Sequence, residues 1–120
     1  MRADFTQSKG VRTLTARVTQ ADTAQTDLFV LPGFCRILAV YGDVEDAFAT
    51  GATLKVGTKA DDDKLVAAMA LDAAGHVVGT LAGALKTAEP TTITATVSNG
   101  ASAGSVDVTV EFAFDLDTRL

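Results

Sequence analysis

The sequence predicts an all-β domain, an antiparallel sandwich or small barrel, on three observations. From Val106 to Leu116 apolar and polar residues alternate without a break. Seven or eight short runs of strand-type residues are separated by turn signals roughly every ten residues. The apolar share is 48%, rich in Ala and Val, with only 6% aromatic residues and no Trp. That composition predicts one thin core of small aliphatic groups rather than disorder.

The strongest element is the last. Val106, Val108, Val110, Phe112, Phe114 and Leu116 fall on one side, with Asp107, Thr109, Glu111, Ala113 and Asp115 on the other. A period of two places the first set in a core and the second in water. Thr91–Val97 alternates in the same way, with Ile93, Ala95 and Val97 inward, and Pro90 fixes where it begins because Pro cannot donate to a ladder. The loop between them carries an Asn99-Gly100 step, which predicts a hairpin or a neighbouring pair.

Near the front, Leu14, Ala16 and Val18 oppose Thr13, Thr15 and Arg17. Asp27–Leu31 is a short strand stopped by Pro32-Gly33. Phe34–Tyr41 is apolar on both faces, and Thr53–Gly57 is another short strand. The 59–72 segment reads either as a short helix, with Leu65, Ala68, Met69 and Asp72 at helical spacing, or as irregular chain with a short strand. The domain expected is residues 11–120, preceded by an arm of residues 1–10.

At 120 residues the chain has the size of one domain. The formal net charge of −5 argues against general nucleic-acid binding, which needs clustered Lys and Arg. The charge is uneven. Residues 1–17 hold four bases against one acid (+3), leaving six bases against fourteen acids (−8) in the rest. The N-terminus lacks the apolar run of a signal peptide and no stretch is long enough for an apolar membrane span, so a soluble product made in the cytoplasm is expected.

Chemistry-bearing constellations are sparse. There is one Cys, Cys35, and one His, His76. They are too few for a thiolate or imidazole metal site, and Cys35 sits in an apolar run as a small buried hydrophobe would. No nucleophile elbow and no phosphate-cradling glycine loop is present. Asp61-Asp62-Asp63 lacks the alternating ligands and distant Glu of a calcium loop, and reads as a solvated acidic turn. No catalytic, cofactor or metal residue is predicted.

The order of parts is nevertheless distinctive. Thr26-Asp27-Leu28-Phe29-Val30-Leu31-Pro32 precedes the apolar Ile37-Leu38-Ala39-Val40. Then come Asp46-Ala47-Phe48-Ala49-Thr50-Gly51-Ala52-Thr53-Leu54-Lys55-Val56-Gly57, a turn at Ala74-Gly75, and Ala101-Ser102-Ala103-Gly104 leading into Val106–Phe112. From about Thr13 onward this resembles the small jelly-roll decoration (cement) proteins of tailed bacteriophages. The resemblance implies a jelly-roll sandwich with no active site, assembled as a homotrimer on the capsid surface of a virion. The partner it implies is the major capsid protein, with neither nucleic acid nor membrane involved.

Two surfaces are expected to serve that role. The basic segment Arg2–Arg17, with Arg2, Phe5, Lys9, Val11, Arg12 and Arg17, is expected to extend from the sandwich and dock on a partner. The apolar excess of Phe34, Leu38 and Val40 is expected at an interface between copies. The competing class is a receptor- or carbohydrate-binding sandwich of a phage tail or similar assembly.

Overall fold

The computed structural model describes residues 11–20, 24–83, 85–99 and 103–114. They form nine strands and no helix: β1 (Arg12–Thr19), β2 (Thr26–Leu31), β3 (Cys35–Asp46), β4 (Thr53–Thr58), β5 (Val66–Ala70), β6 (Gly75–Val78), β7 (Lys86–Thr87), β8 (Thr91–Ser98) and β9 (Ser105–Phe114). One sheet runs β1-β9-β3-β6, with β7 also pairing β3; the other runs β2-β8-β4-β5. Every ladder is antiparallel.

The pairs are nested along the chain. β1 meets β9, β2 meets β8, β3 meets β6 and β7, and β4 meets β5. A long hairpin rolled onto itself in this way is a jelly roll, and the two sheets enclose one core.

The inward faces of the alternating strands pack as their patterns require, but Thr109 and Ala113, on the side of β9 expected in water, are buried as well, each 7% exposed. Val106, Val108, Val110 and Phe112 of β9 are buried, and Phe114 is half-buried at the strand end. Phe112 and Phe114 meet edge to face with ring centroids 6.0 Å apart. From the opposite sheet come Leu31, Leu54, Val56, Met69, Ile93 and Ala95. The largest fully sealed side chains are Leu, Ile, Met and Val, as the composition suggested.

Two expectations need correction and one open alternative is decided. First, β8 and β9 do not pair. Each is a central strand of a different sheet, β8 between β2 and β4 and β9 between β1 and β3, so the connection between them crosses from one sheet to the other. Second, of the two readings open for the 59–72 segment, irregular chain with a short strand is the one formed: it contains β5 and no helix. A bulge sets Leu54 opposite Met69 but Val56 opposite Val66, so buried residues three apart on β5 face residues two apart on β4. One inserted residue in a strand imitates helical spacing.

Third, Val40 is not a surface residue. A bulge between Ile37 and Ala39 switches the parity of β3, so Cys35, Ile37, Val40 and Val44 all face the core, and Val40 is 0% exposed. Val40 is therefore removed from any interface of the folded domain. Leu38, at the bulge, turns outward.

The end of the sandwich that holds the β8–β9 connection is closed by Phe48. Gly104, at φ 136°, lies directly beneath its ring: a Cβ there would fall 2.4 to 2.6 Å from ring carbons. Only glycine tolerates both that backbone and that approach.

Candidate functional site

The residues that could carry chemistry are held apart. Cys35 is buried, with Sγ 3.1 Å from the Pro32 carbonyl and 3.2 Å from Thr87 Oγ1. His76 is exposed on β6 and contacts Asp43 at 2.7 Å through Nδ1. Asp43 and Cys35 sit at opposite reaches of β3, roughly 25 Å apart at strand rise. No thiol–imidazole pair can form across that span. Asp61, Asp62 and Asp63 gather their carboxylates within 4.8 Å of one another. Asp62 is neutralised by Lys55 at 3.5 Å, and Asp61 pushes the Asp63 carboxyl above its ordinary range by hydrogen bonding and charge. Nothing beside these carboxylates points to a bound cation.

The outward face of the first sheet is ordered by a cross-strand row. Arg17 of β1 faces Asp107 of β9, which faces Asp43 of β3, which faces His76 of β6. Arg17 Nη1 lies 2.8 Å from Glu45 and its Nε donates to Asp107 at 3.1 Å. Hydrogen bonds donated to Asp107 and then Glu45 raise the guanidinium pKa, so its charge is fixed. In the next row Thr15 and Thr109 hydroxyls are 2.9 Å apart, and Tyr41 donates to Glu111 at 3.4 Å. Partial desolvation, then the Glu111 charge, raises the Tyr41 phenol above its usual value. This face is internally paired.

The basic segment is divided by the fold. β1 pairs with β9 along its whole length, so Arg12 and Arg17 belong to the sandwich and do not extend from it. That corrects the expected reach of the arm, which can include at most the residues before β1. Arg12 lies 5.6 Å over the Phe114 ring, and Arg17 is committed to Glu45 and Asp107. Val11, leading into β1, is 53% exposed. Arg2, Phe5 and Lys9 lie outside the described residues.

The apolar surface is concentrated in single side chains: Val78 at 68%, Phe34 at 60%, Val30 at 55% and Leu38 at 36% exposed. Phe34 differs from the rest because its backbone is left-handed, φ 58°. Such a conformation in a bulky residue costs about 1–3 kcal/mol and persists only where neighbours impose it. Here Thr87 imposes it. Phe34 N–H donates to the Thr87 carbonyl at 2.6 Å, Cys35 N–H donates to Thr87 Oγ1 at 3.2 Å, and Thr87 Oγ1 lies 3.0 Å from the Pro32 carbonyl. Gly33 packs against the backbone of Ala88 and Glu89. The turn is rigid, and it aims a phenyl ring at solvent.

Sequence reasoning found Phe34 through its apolar surroundings but not its conformation. Pro32-Gly33 marked the turn; the left-handed residue after it depends on Thr87, more than fifty positions away, and left no local signal. Arg36 and Lys86, paired across β3 and β7 beside this turn, were also missed as a group.

No family model and no curated sequence matches the chain. Solved structures do. A chain in the acidic stable capsid of Helicobacter pylori bacteriophage KHP30 superposes with a TM-score of 0.71 at 12% identity, over 88% of this chain and 89% of that one. A chain in the cyanophage Pam1 capsid gives 0.69 at 19% identity, over 87% and 84%. A chain in the capsid of Ralstonia phage GP4 gives 0.64 at 22%, over 87% and 84%. At these identities the likeness shows a shared fold, and in each case it spans nearly the whole of both chains.

Proposed function

We propose that this protein is a non-enzymatic decoration (cement) protein that binds the outer surface of a phage head, contacts the major capsid protein and stabilises the shell as a homotrimer. The observation that carries the reading is the match, over most of both chains, to chains from capsids of three different phages. The separation of Cys35 from His76 and the pairing of the sheet-face charges support a structural role over a catalytic one. Docking is assigned to residues 1–10 with Val11 and Arg12 at their exit point, and association between copies to Phe34 and Leu38.

The test is to add purified protein to undecorated heads and to measure both bound copies and resistance of the heads to heat. Saturable binding that raises the temperature of head disruption is the expected result. Failure to bind heads, with retention on tails or on a glycan column instead, would overturn the proposal in favour of a receptor- or carbohydrate-binding module.

A further inference from the structure

Two features outside the sheet faces complement each other. The first is the Pro32–Cys35 turn. It holds Phe34 outward at 60% exposure on a strained backbone, beside the exposed bases Arg36 and Lys86. A bulky residue kept in a left-handed conformation, with its ring in water, has no packing gain in the monomer to offset the strain. An aromatic side chain on a rigid support with a cation beside it is the form of an interface anchor.

The second is an open cavity of about 310 Å³ lined by Asp61, Asp63, Lys64, Ala67, Ala82 and Gly83. Its wall is small and apolar at Ala67, Ala82 and Gly83, and its rim carries two carboxylates against one ammonium. An enclosed cavity of about 150 Å³ already admits benzene, so this open one has volume enough for a phenyl ring. Lys55 pairs with Asp62, and among the described ion pairs no base meets Asp61 or Asp63, so these two carboxylates face the cavity mouth without a cation partner. Gly57 lies under this loop, where a Cβ would strike the Asp61 carbonyl, so the loop is seated close on β4.

We propose that the occupant of this cavity is a second copy of the chain: Phe34 of one copy enters the Asp61–Gly83 cavity of the next, with Arg36 set against Asp61 and Asp63. Charge complementarity and the fit of ring to cavity select this occupant. Anchor and cavity are different patches, so each copy gives one anchor and receives another, and closure of such head-to-tail contacts makes a cyclic oligomer. The pairing deepens the proposed self-association by naming the surface that receives Phe34. It is read in purified protein without shells, so its failure leaves the shell-binding experiment to stand or fall separately.

The experiment compares four chains by sedimentation and light scattering at tens to hundreds of micromolar. Wild type is expected to sediment above monomer mass. Phe34→Gly is expected to be monomeric, with a melting temperature no lower than that of wild type at dilutions where wild type has dissociated, because glycine removes the ring and accepts the backbone without strain; a merely structural phenylalanine would lower it. Arg36→Glu is expected to be monomeric. Adding Asp61→Lys and Asp63→Lys to that variant is expected to restore the wild-type mass. The proposal is overturned by a monomeric wild type, by either reduced variant keeping the wild-type mass, or by a folded three-substitution chain that stays monomeric.

Discussion

Replacing Gly104 by Ala tests how the sandwich is closed at the end where β8 crosses to β9. The added methyl meets two separate obstacles. At φ 136° an L side chain is strained, at about 1–3 kcal/mol. The Cβ would also lie 2.4 Å from Cγ and 2.6 Å from both Cδ atoms of Phe48, closer than atoms can pack. Phe48 is 5% exposed, so relief requires the ring to leave a buried site. Complete loss of a buried phenyl costs about 3–5 kcal/mol, and a partial shift a fraction of that. The two together predict a loss of about 2–5 kcal/mol, measured as the shift in urea midpoint at unchanged slope. Phe48→Ala separates the obstacles. In the double variant the clash is gone, and Gly104→Ala should then cost only its backbone strain. A loss below about 1 kcal/mol for Gly104→Ala alone would refute the placement of Phe48 over this glycine.

Further outcomes follow from the core, the acidic loop and the arm. Phe112→Ala, at a site 4% exposed on a central strand, should cost about 3–5 kcal/mol in chemical denaturation; a cost under about 1 kcal/mol would contradict the β9 register. Asp63 has a raised pKa in the folded protein, caused first by Asp61, so the native state holds that proton more tightly than the unfolded chain does. Its contribution is therefore fully present below the ordinary carboxylate range and is lost as pH rises through the folded value. Asp63→Asn should raise the urea midpoint at pH 7, with the gain over wild type vanishing as pH falls through the carboxylate range; an equal gain at both ends would exclude charge crowding as its cause. Deleting residues 2–10 should leave the circular dichroism spectrum and melting temperature unchanged while raising the concentration needed to saturate undecorated heads. Equal saturation by the shortened chain would remove the arm from docking.

How far the sequence was legible depended on whether a strand kept an unbroken period of two. β1 and β9 pair residue for residue from Arg12↔Phe112 to Thr19↔Ser105, and both were readable from alternation alone. β3 and β5 each contain a bulge, which defeated the reading of β3 and left that of β5 open between helix and strand. One inserted residue turned Val40 inward while Leu38 stayed at the surface, and another gave Val66 and Met69 the spacing of a helix. Which sheet a strand joins was not legible at all. Alternation in β8 and β9 says that each has a buried face, and nothing in either strand distinguishes a hairpin from two central strands facing one another. The interface anchor was half legible: apolar excess located Phe34, while its left-handed backbone rests on hydrogen bonds to a residue distant in sequence.

The distribution of charge narrows where specificity can reside. Several exposed bases are engaged within the domain: Arg17 with Glu45 and Asp107, His76 with Asp43, Lys55 with Asp62 and Lys59 with Asp27. Exposed pairs of this kind add little stability, under about 1 kcal/mol each, but they reduce the field that a face presents to a partner. Phe34 and Arg36 at one turn and Asp61 and Asp63 at one loop lie outside those pairings. A rolled hairpin has covered faces and paired central strands, so its loops are the parts that can vary without disturbing the core. The strain at Phe34 and the crowding at Asp63 are both costs to the isolated domain, and both fall on these loops. A contact that buries the ring and brings cations to the carboxylates relieves the second cost and offsets the first, which is why the two patches are argued as halves of one interface rather than as separate defects.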